Sequence, residues 1–64
     1  MKPDWKDAPE WANYLAMDTD KRWFWYENEP ELCRYGWNPA NGRMQEAVQG
    51  ASLWDIKQTL EERP

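Results

Sequence analysis

The chain of 64 residues contains no histidine, one cysteine and only three glycines. Because Cys33 is the only cysteine, an intramolecular disulfide is excluded, and a zinc site would lack its usual Cys and His ligands. Without histidine there is also no ordinary base to activate a serine, threonine or cysteine nucleophile. The three glycines are too far apart to form a phosphate-binding loop. The sequence therefore predicts a protein that is not an enzyme and holds no metal or cofactor.

Long apolar runs are also missing from the sequence. No segment approaches the roughly 20 apolar residues that a membrane-spanning helix needs. The N-terminal segment lacks the apolar stretch of a secretory signal, since it contains Lys2, Pro3 and Asp4. A single unpaired cysteine agrees with a reducing compartment. We therefore expect a soluble, cytoplasmic protein that makes no membrane contact.

Positive charge is scarce relative to negative charge. Asp and Glu number 12 against 8 Lys and Arg, which gives a net charge of −4. Such an excess repels phosphate backbones and favours a basic partner. The balance argues against binding to duplex DNA.

Aromatic residues are abundant, with six tryptophans, three tyrosines and one phenylalanine. Each ring can bury roughly 150–250 Å², so these residues compensate for a chain that is too short to build a large core. We expect a single domain over residues 1–64. Within it, residues 1–10 are expected to form an extended arm that Trp5 holds in place. A core of this size cannot hide all ten rings. Some aromatic surface is therefore expected to remain for binding.

A tryptophan-rich β-hairpin at about residues 11–28 is the clearest element in the sequence. Residues 11–17 and 22–28 have the aromatic and apolar content of strands, and residues 18–21 supply turn-forming side chains. With an even loop of four residues, Met17 would face Arg22 and Leu15 would face Phe24. This register predicts two apolar faces. One would hold Leu15, Met17, Phe24 and Tyr26, and the other Ala12, Tyr14, Ala16, Trp23 and Trp25.

The remainder of the chain predicts a small α+β fold with an antiparallel sheet of three or four strands. Residues 32–37 suit a third strand, and residues 43–48 suit either a fourth strand or the start of a helix. A short C-terminal helix is expected at about residues 52–63. Ser52 and Asp55 could cap it, and Leu53, Ile56 and Leu60 would form its apolar stripe.

The second predicted face of the hairpin is the candidate binding surface. Aromatic rings are typical anchors of protein interfaces, and carboxylates on a strand end can complement a basic partner. Glutamates alternate along the end of the second strand, although a charged edge that prevents aggregation would show the same pattern. The predicted partner-binding residues are Tyr14, Trp23, Trp25, Glu27, Glu29 and Glu31.

Several short motifs resemble a group of small tryptophan-rich proteins of tailed bacteriophages and prophages. The matching segments are Trp5-Lys-Asp-Ala-Pro-Glu10, Leu15-Ala-Met-Asp18, Trp23-Phe-Trp-Tyr-Glu27 with Pro30 after it, and Leu60-Glu-Glu-Arg-Pro64. One departure is Lys21, which stands where similar sequences are expected to have glycine. The resemblance implies an accessory protein that acts in the cytoplasm of a bacterial host. Such a protein would bind a host protein, for example a defence factor or a nucleic-acid-processing enzyme, and block it.

Two other functions fit the same composition. The spare aromatic face could be buried in a homodimer, which would make the chain a structural, self-assembling protein. The same rings, with Arg22 beside them, could also stack the bases of single-stranded nucleic acid. The excess of acidic residues argues against the second alternative.

Overall fold

The computed structural model describes residues 2–34, 36–47 and 59–64. These residues form one 3-10 turn at Trp5–Asp7, within the N-terminal arm, and otherwise only strands and loops. The strands are β1 at Tyr14–Met17, β2 at Trp23–Tyr26, β3 at Glu31–Cys33, β4 at Gly36–Asn38, β5 at Met44–Glu46 and β6 at Glu61–Glu62.

The strands form two antiparallel sheets. The larger has the order β5-β2-β1-β6, so the tryptophan-rich hairpin lies at its centre. The smaller is the β3-β4 hairpin. The outer strands of the larger sheet are short, and Glu61 and Glu62 make up all of β6. Short, charged edge strands discourage pairing with other chains.

The β1-β2 hairpin confirms the predicted position of the strands, but the predicted register is wrong by one residue. Met17 faces Trp23 and Leu15 faces Trp25. The backbone N–H of Asp18 donates to the carbonyl of Arg22 at 2.8 Å, so the loop has three residues and not four. A shift of one residue moves every side chain to the opposite face of a strand. Trp23 and Trp25 therefore share a face with Leu15 and Met17.

Lys21 makes the three-residue loop possible by adopting the left-handed conformation, with φ of 70°. Its N–H donates to the carbonyl of Asp18 at 3.0 Å. Three-residue hairpin loops commonly end in such a residue, and glycine is the usual choice. The turn thus keeps its tight geometry with a lysine at a position where glycine is usual.

The main core lies on the face of the sheet that carries Trp23 and Trp25. The buried residues that form it are Ala12, Leu15, Met17, Trp23, Trp25 and Ala47. The N-terminal arm and the residue after it cover this face, since Trp5 and Ala8 of the arm and Trp11 pack against the cluster. The rings of Trp5 and Trp25 lie 5.0 Å apart between centroids, inclined at 57°. The aromatic residues are thus used mainly to build the core of a short chain.

The opposite face of the hairpin is also partly covered. Ala16 and Tyr26 are buried on it, whereas Tyr14 and Phe24 are half-buried. The β3-β4 hairpin contacts the loop end of β1, because Nε1 of Trp37 donates to the carbonyl of Met17 at 3.0 Å.

Gly36, at the start of β4, approaches the β1-β2 loop closely. A Cβ atom at Gly36 would lie 1.7 Å from Oδ1 of Asp18, and its φ of +133° disfavours other residues.

The predicted single strand at residues 32–37 is wrong, because Cys33 and Gly36 face each other as partners in the β3-β4 hairpin.

Residues 44–46 adopt the strand alternative of the two predicted for this region. Here Met44 faces Tyr26 and Glu46 faces Phe24, so β5 extends the central sheet beside β2. Val48 lies outside the described residues.

The predicted C-terminal helix is wrong, and with it the α+β class. The part that the structure describes, from residue 59 onward, is extended, and Glu61 and Glu62 pair with Leu15 and Tyr14 of β1. Oγ1 of Thr59 accepts a hydrogen bond from the N–H of Met17 at 2.8 Å. The free backbone groups on the outer edge of β1 thus find partners in this segment. Residues 52–58 of the predicted helix lie outside the described residues, which form a mainly antiparallel β structure.

The segment around β6 also holds the N-terminal arm in place. Glu61 accepts hydrogen bonds from Nζ of Lys2 and from Nε1 of Trp5. Arg63 donates through Nη1 to the carbonyl of Pro9 at 3.1 Å and to the carbonyl of Ala12. Its Cζ lies 5.6 Å from the centroid of the Trp5 ring. We call Lys2, Trp5, Glu61 and Arg63 the terminal clasp.

Candidate functional site

The structure separates the six predicted binding residues into three groups. Trp23 and Trp25 lie in the core, with exposed fractions of 0% and 2%. Tyr14, Glu27 and Glu29 lie together at the end of the central sheet that is farther from the β1-β2 loop. Glu31 is exposed on β3, outside this group. The three clustered residues define the candidate site.

The site is an open groove of about 370 Å³, which we call the acidic groove. Its lining residues are Asn13, Tyr14, Glu27, Asn28, Glu29, Glu62 and Arg63. Among the described residues, three carboxylates stand against a single basic side chain, and that side chain contacts the backbone carbonyls of Pro9 in the N-terminal arm and of Ala12 just before β1. The groove is therefore negatively charged.

Strand pairing brings these side chains together from distant parts of the sequence. Tyr14, the first residue of β1, faces Glu62 of β6 on one side and Tyr26 of β2 on the other. Just beyond the strand, Asn13 accepts a backbone hydrogen bond from Arg63 at 2.7 Å and donates one to Tyr26 at 2.9 Å. The ends of three adjacent strands thus form the groove.

Glu62 is the carboxylate of the groove that sequence reasoning missed. The sequence pattern assigned it to a helix, where it would have no relation to Tyr14. Only the pairing of β6 with β1 places it there. No local pattern in the sequence signals that pairing.

Tyr14 reports the electrostatic character of the groove. Desolvation, followed by the negative charges of Glu62 and Glu29, raises the pKa of its hydroxyl above the ordinary value of 10.0. Glu29 and Glu62 form no ion pair within the described part of the chain. Both carboxylates are exposed and available to a cation.

Glu27 is more constrained than the other two glutamates. Its Oε1 accepts a hydrogen bond from the N–H of Arg43 at 3.1 Å and lies 3.8 Å from Nε of the same residue. Glu27 therefore shapes the groove, while Glu29 and Glu62 supply most of its uncompensated charge.

Other kinds of site find little support in the described residues. Among residues 2–34, 36–47 and 59–64, no group of three or more Asp, Glu or Cys side chains is placed to hold a metal ion. Cys33 is exposed and its Sγ lies 3.6 Å from the carbonyl of Glu31. Within the same residues, no helix has the length and apolar character to cross a membrane.

The hydroxyl of Tyr26 is a buried polar group without a hydrogen-bond partner among the described residues. Burial, and then the charges of Asp18 and Asp20, raise its pKa above the ordinary value of 10.0. A raised pKa means that the folded state keeps the proton when the unfolded state has lost it. The titration of this hydroxyl therefore leaves the free energy of unfolding unchanged below about pH 10 and lowers it as the pH rises above that value.

Tyr26→Phe is expected to stabilise the domain at neutral pH by about 1 kcal/mol, because it removes a buried hydroxyl that has no partner among the described residues. Above about pH 10 the wild-type protein should lose up to about 1.4 kcal/mol per pH unit through this residue, and the variant should not. Urea unfolding at about pH 8 and about pH 11 measures both effects. A variant that is clearly less stable at neutral pH would mean that the hydroxyl has a partner.

Comparison with protein-family models, with curated proteins and with solved structures finds no match for this chain.

Proposed function

We propose that the chain is a non-enzymatic binding protein that holds a basic region of another protein in the acidic groove. The groove itself carries the proposal, because it places the half-buried Tyr14 beside the uncompensated carboxylates of Glu29 and Glu62. Tyrosine is among the residues enriched at interface hot spots, and complementary charge speeds association and selects the partner. The net charge of −4 also attracts a basic partner, and it does so over a longer range.

The biological setting of the proposal follows from the resemblance to phage proteins. The chain would be a phage accessory protein in the cytoplasm of a bacterial host, and its partner a host protein with a basic surface. A defence factor or a nucleic-acid-processing enzyme has such a surface where it meets phosphate groups. The mechanism would be steric occlusion of that surface.

The burial of Trp23 and Trp25 bears on the two alternatives. Base stacking requires exposed ring faces, and these two rings offer none. A homodimer formed through the same rings would face the same obstacle, because the N-terminal arm already covers them. The binding of a basic protein segment in the groove needs neither ring at the surface.

Affinity capture from a bacterial lysate tests the proposal when wild-type protein is compared with the double variant Glu29→Gln, Glu62→Gln. Recovery of the specific partner, measured by mass spectrometry, is expected to fall about ten-fold or more. Glu10→Gln is the matched control, since Glu10 is exposed and lies outside the groove, and it should leave recovery unchanged. Equal recovery by the double variant would place the binding surface elsewhere.

A further inference from the structure

The loop between β4 and β5 contains the pair Asn41-Gly42, which lies outside the acidic groove. The backbone nitrogen that follows an asparagine can attack the side-chain amide of that asparagine when no bulky group shields it. Glycine has no Cβ atom and leaves its nitrogen open. The other three asparagines of the chain are followed by tyrosine, glutamate and proline, and proline has no N–H to lose. Asn41 therefore has the most reactive neighbour.

Hydrogen bonding also distinguishes Asn41 from the other asparagines. Nδ2 of Asn13 donates to a backbone carbonyl at 2.9 Å, and Nδ2 of Asn28 donates to the carbonyl of Ala40 at 3.0 Å. Oδ1 of Asn38 accepts from the N–H of Ala40 at 2.9 Å. Asn41 is exposed, and its side-chain amide has no hydrogen-bond partner among the described residues. Its amide can therefore rotate toward the next backbone nitrogen.

The tight turn from Pro39 to Gly42 restrains this nitrogen. The N–H of Gly42 donates to the carbonyl of Pro39 at 3.1 Å, and Ala40 and Asn41 have φ of 56° and 66°, as in a type I′ turn. The left-handed conformation is unfavourable for a residue with a Cβ atom, such as Ala40. The turn is thus strained, and the hydrogen bond from Asn28 to the carbonyl of Ala40 helps to keep it closed.

We propose that Asn41 is a site of spontaneous modification, converted through a succinimide into isoaspartate and aspartate when the turn opens. The nitrogen of Gly42 loses its proton to a base in the solvent and forms a bond with Cγ of Asn41. The bond from Cγ to Nδ2 breaks, and Nδ2 takes up a proton and leaves as ammonia. Water then adds to either carbonyl carbon of the ring and breaks its bond to the nitrogen, which regains its proton.

The modification changes both the charge and the backbone of the loop. The product carries one more negative charge than the unmodified chain, whose net charge is −4. When water opens the ring on the main-chain side, the product is isoaspartate, which lengthens the backbone by a methylene group. This extra group lies within the turn that leads into β5. The modified fraction therefore increases with the age of the molecule and has an altered connection to the central sheet.

The wild-type protein provides the first test, because its four asparagines can be compared in one sample. The folded protein is incubated at physiological temperature, at neutral and at mildly alkaline pH, and is then digested with trypsin. Mass spectrometry measures conversion at each asparagine, and fragmentation of the peptide of residues 35–43 separates Asn38 from Asn41. Conversion of Asn41 is expected to be at least about ten-fold faster than that of the others, because glycine leaves the attacking nitrogen open. It should also rise with pH, since this nitrogen must lose a proton.

The product identifies the route. Isoaspartate arises from opening of the succinimide and not from direct hydrolysis of the side chain, so it should form part of the product at residue 41. Conversion of Asn41 no faster than that of Asn28, or a product without isoaspartate, would overturn the proposal. Asn41→Gln should abolish the modification at this position, because the longer side chain would have to close a larger ring.

A pair of variants tests control by the turn. Asn28→Ala removes the hydrogen bond to the carbonyl of Ala40 and should speed conversion of Asn41 about three-fold, because the turn opens more often. Asn13→Ala is the matched control, since it removes a similar side-chain hydrogen bond away from the turn, and it should leave the rate unchanged. Far-UV circular dichroism verifies that both variants are folded. Equal rates in the two variants would overturn control by the turn.

Discussion

Trp25→Ala is expected to unfold most of the protein at 25 °C. Removal of a buried tryptophan typically costs about 3–5 kcal/mol, from lost burial and from the cavity that remains. A domain of 64 residues has little stability to spare, since small domains bury a smaller fraction of their surface. Trp25 is only 2% exposed and also packs against Trp5 of the N-terminal arm. Urea unfolding followed by far-UV circular dichroism measures the loss.

Phe24→Ala is the matched control, because Phe24 is the next residue in β2 but lies half-buried on the opposite face. Its cost should be clearly smaller, about 1–2 kcal/mol, because less buried apolar area is lost. In the register predicted from the sequence, Phe24 and not Trp25 would share a face with Leu15. If Phe24→Ala lowered the free energy of unfolding as much as Trp25→Ala, or more, the result would contradict the observed pairing of Leu15 with Trp25.

Arg63→Ala should release the N-terminal arm from the sheet and destabilise the domain by about 2 kcal/mol. The arginine donates to the carbonyls of Pro9 and Glu10 in the arm and covers the ring of Trp5, and hydrogen bonds to a charged group are stronger than neutral ones. Hydrogen exchange followed by NMR should show that the variant exchanges faster than the wild-type protein, with a larger increase at residues 5–12 than in β2. Urea unfolding gives the total cost.

Arg43→Ala is the corresponding control, since Arg43 also lies over a tryptophan ring, that of Trp11. Its guanidinium is exposed and does not reach carbonyls of the arm in the described structure, so a cost below about 1 kcal/mol is expected. Arg63→Lys keeps the charge but not the planar fork, and should recover only part of the loss. A negligible cost for Arg63→Ala would mean that the terminal clasp does not hold the arm.

The position of the central hairpin could be predicted because its signals are local. Aromatic residues favour strands, and residues 18–21 favour a turn. The register could not be predicted in the same way, because it depends on a three-residue loop in which Lys21 adopts a left-handed conformation. Lysine rarely does so, and the sequence pattern favoured an even loop. That single residue decides which face of β2 is buried.

The C-terminal segment could not be predicted for a different reason. Its spacing of leucine and isoleucine residues is typical of a helix, whereas its observed partner is the distant strand β1. Hydrogen bonds to an unpaired strand edge outweigh local preference, and only the folded sheet reveals that edge. The candidate site could likewise be predicted only in part, because one of its residues depends on the same long-range pairing. Tyr14, Glu27 and Glu29 follow from the local hairpin pattern, but Glu62 does not.

The pairing of β6 with β1 also constrains the order in which the protein can fold. β1 and β2 are joined by a loop of three residues, whereas the other neighbour of β1 is the distant strand β6 at Glu61–Glu62. Contacts between such distant segments slow folding because a large loop must close first. Until then, the edge of β1 is exposed, and neither the terminal clasp nor Glu62, the third carboxylate of the groove, is in place. The acidic groove is therefore completed only when this long-range pairing forms, and a partner that binds the groove selects molecules in which β6 is in place.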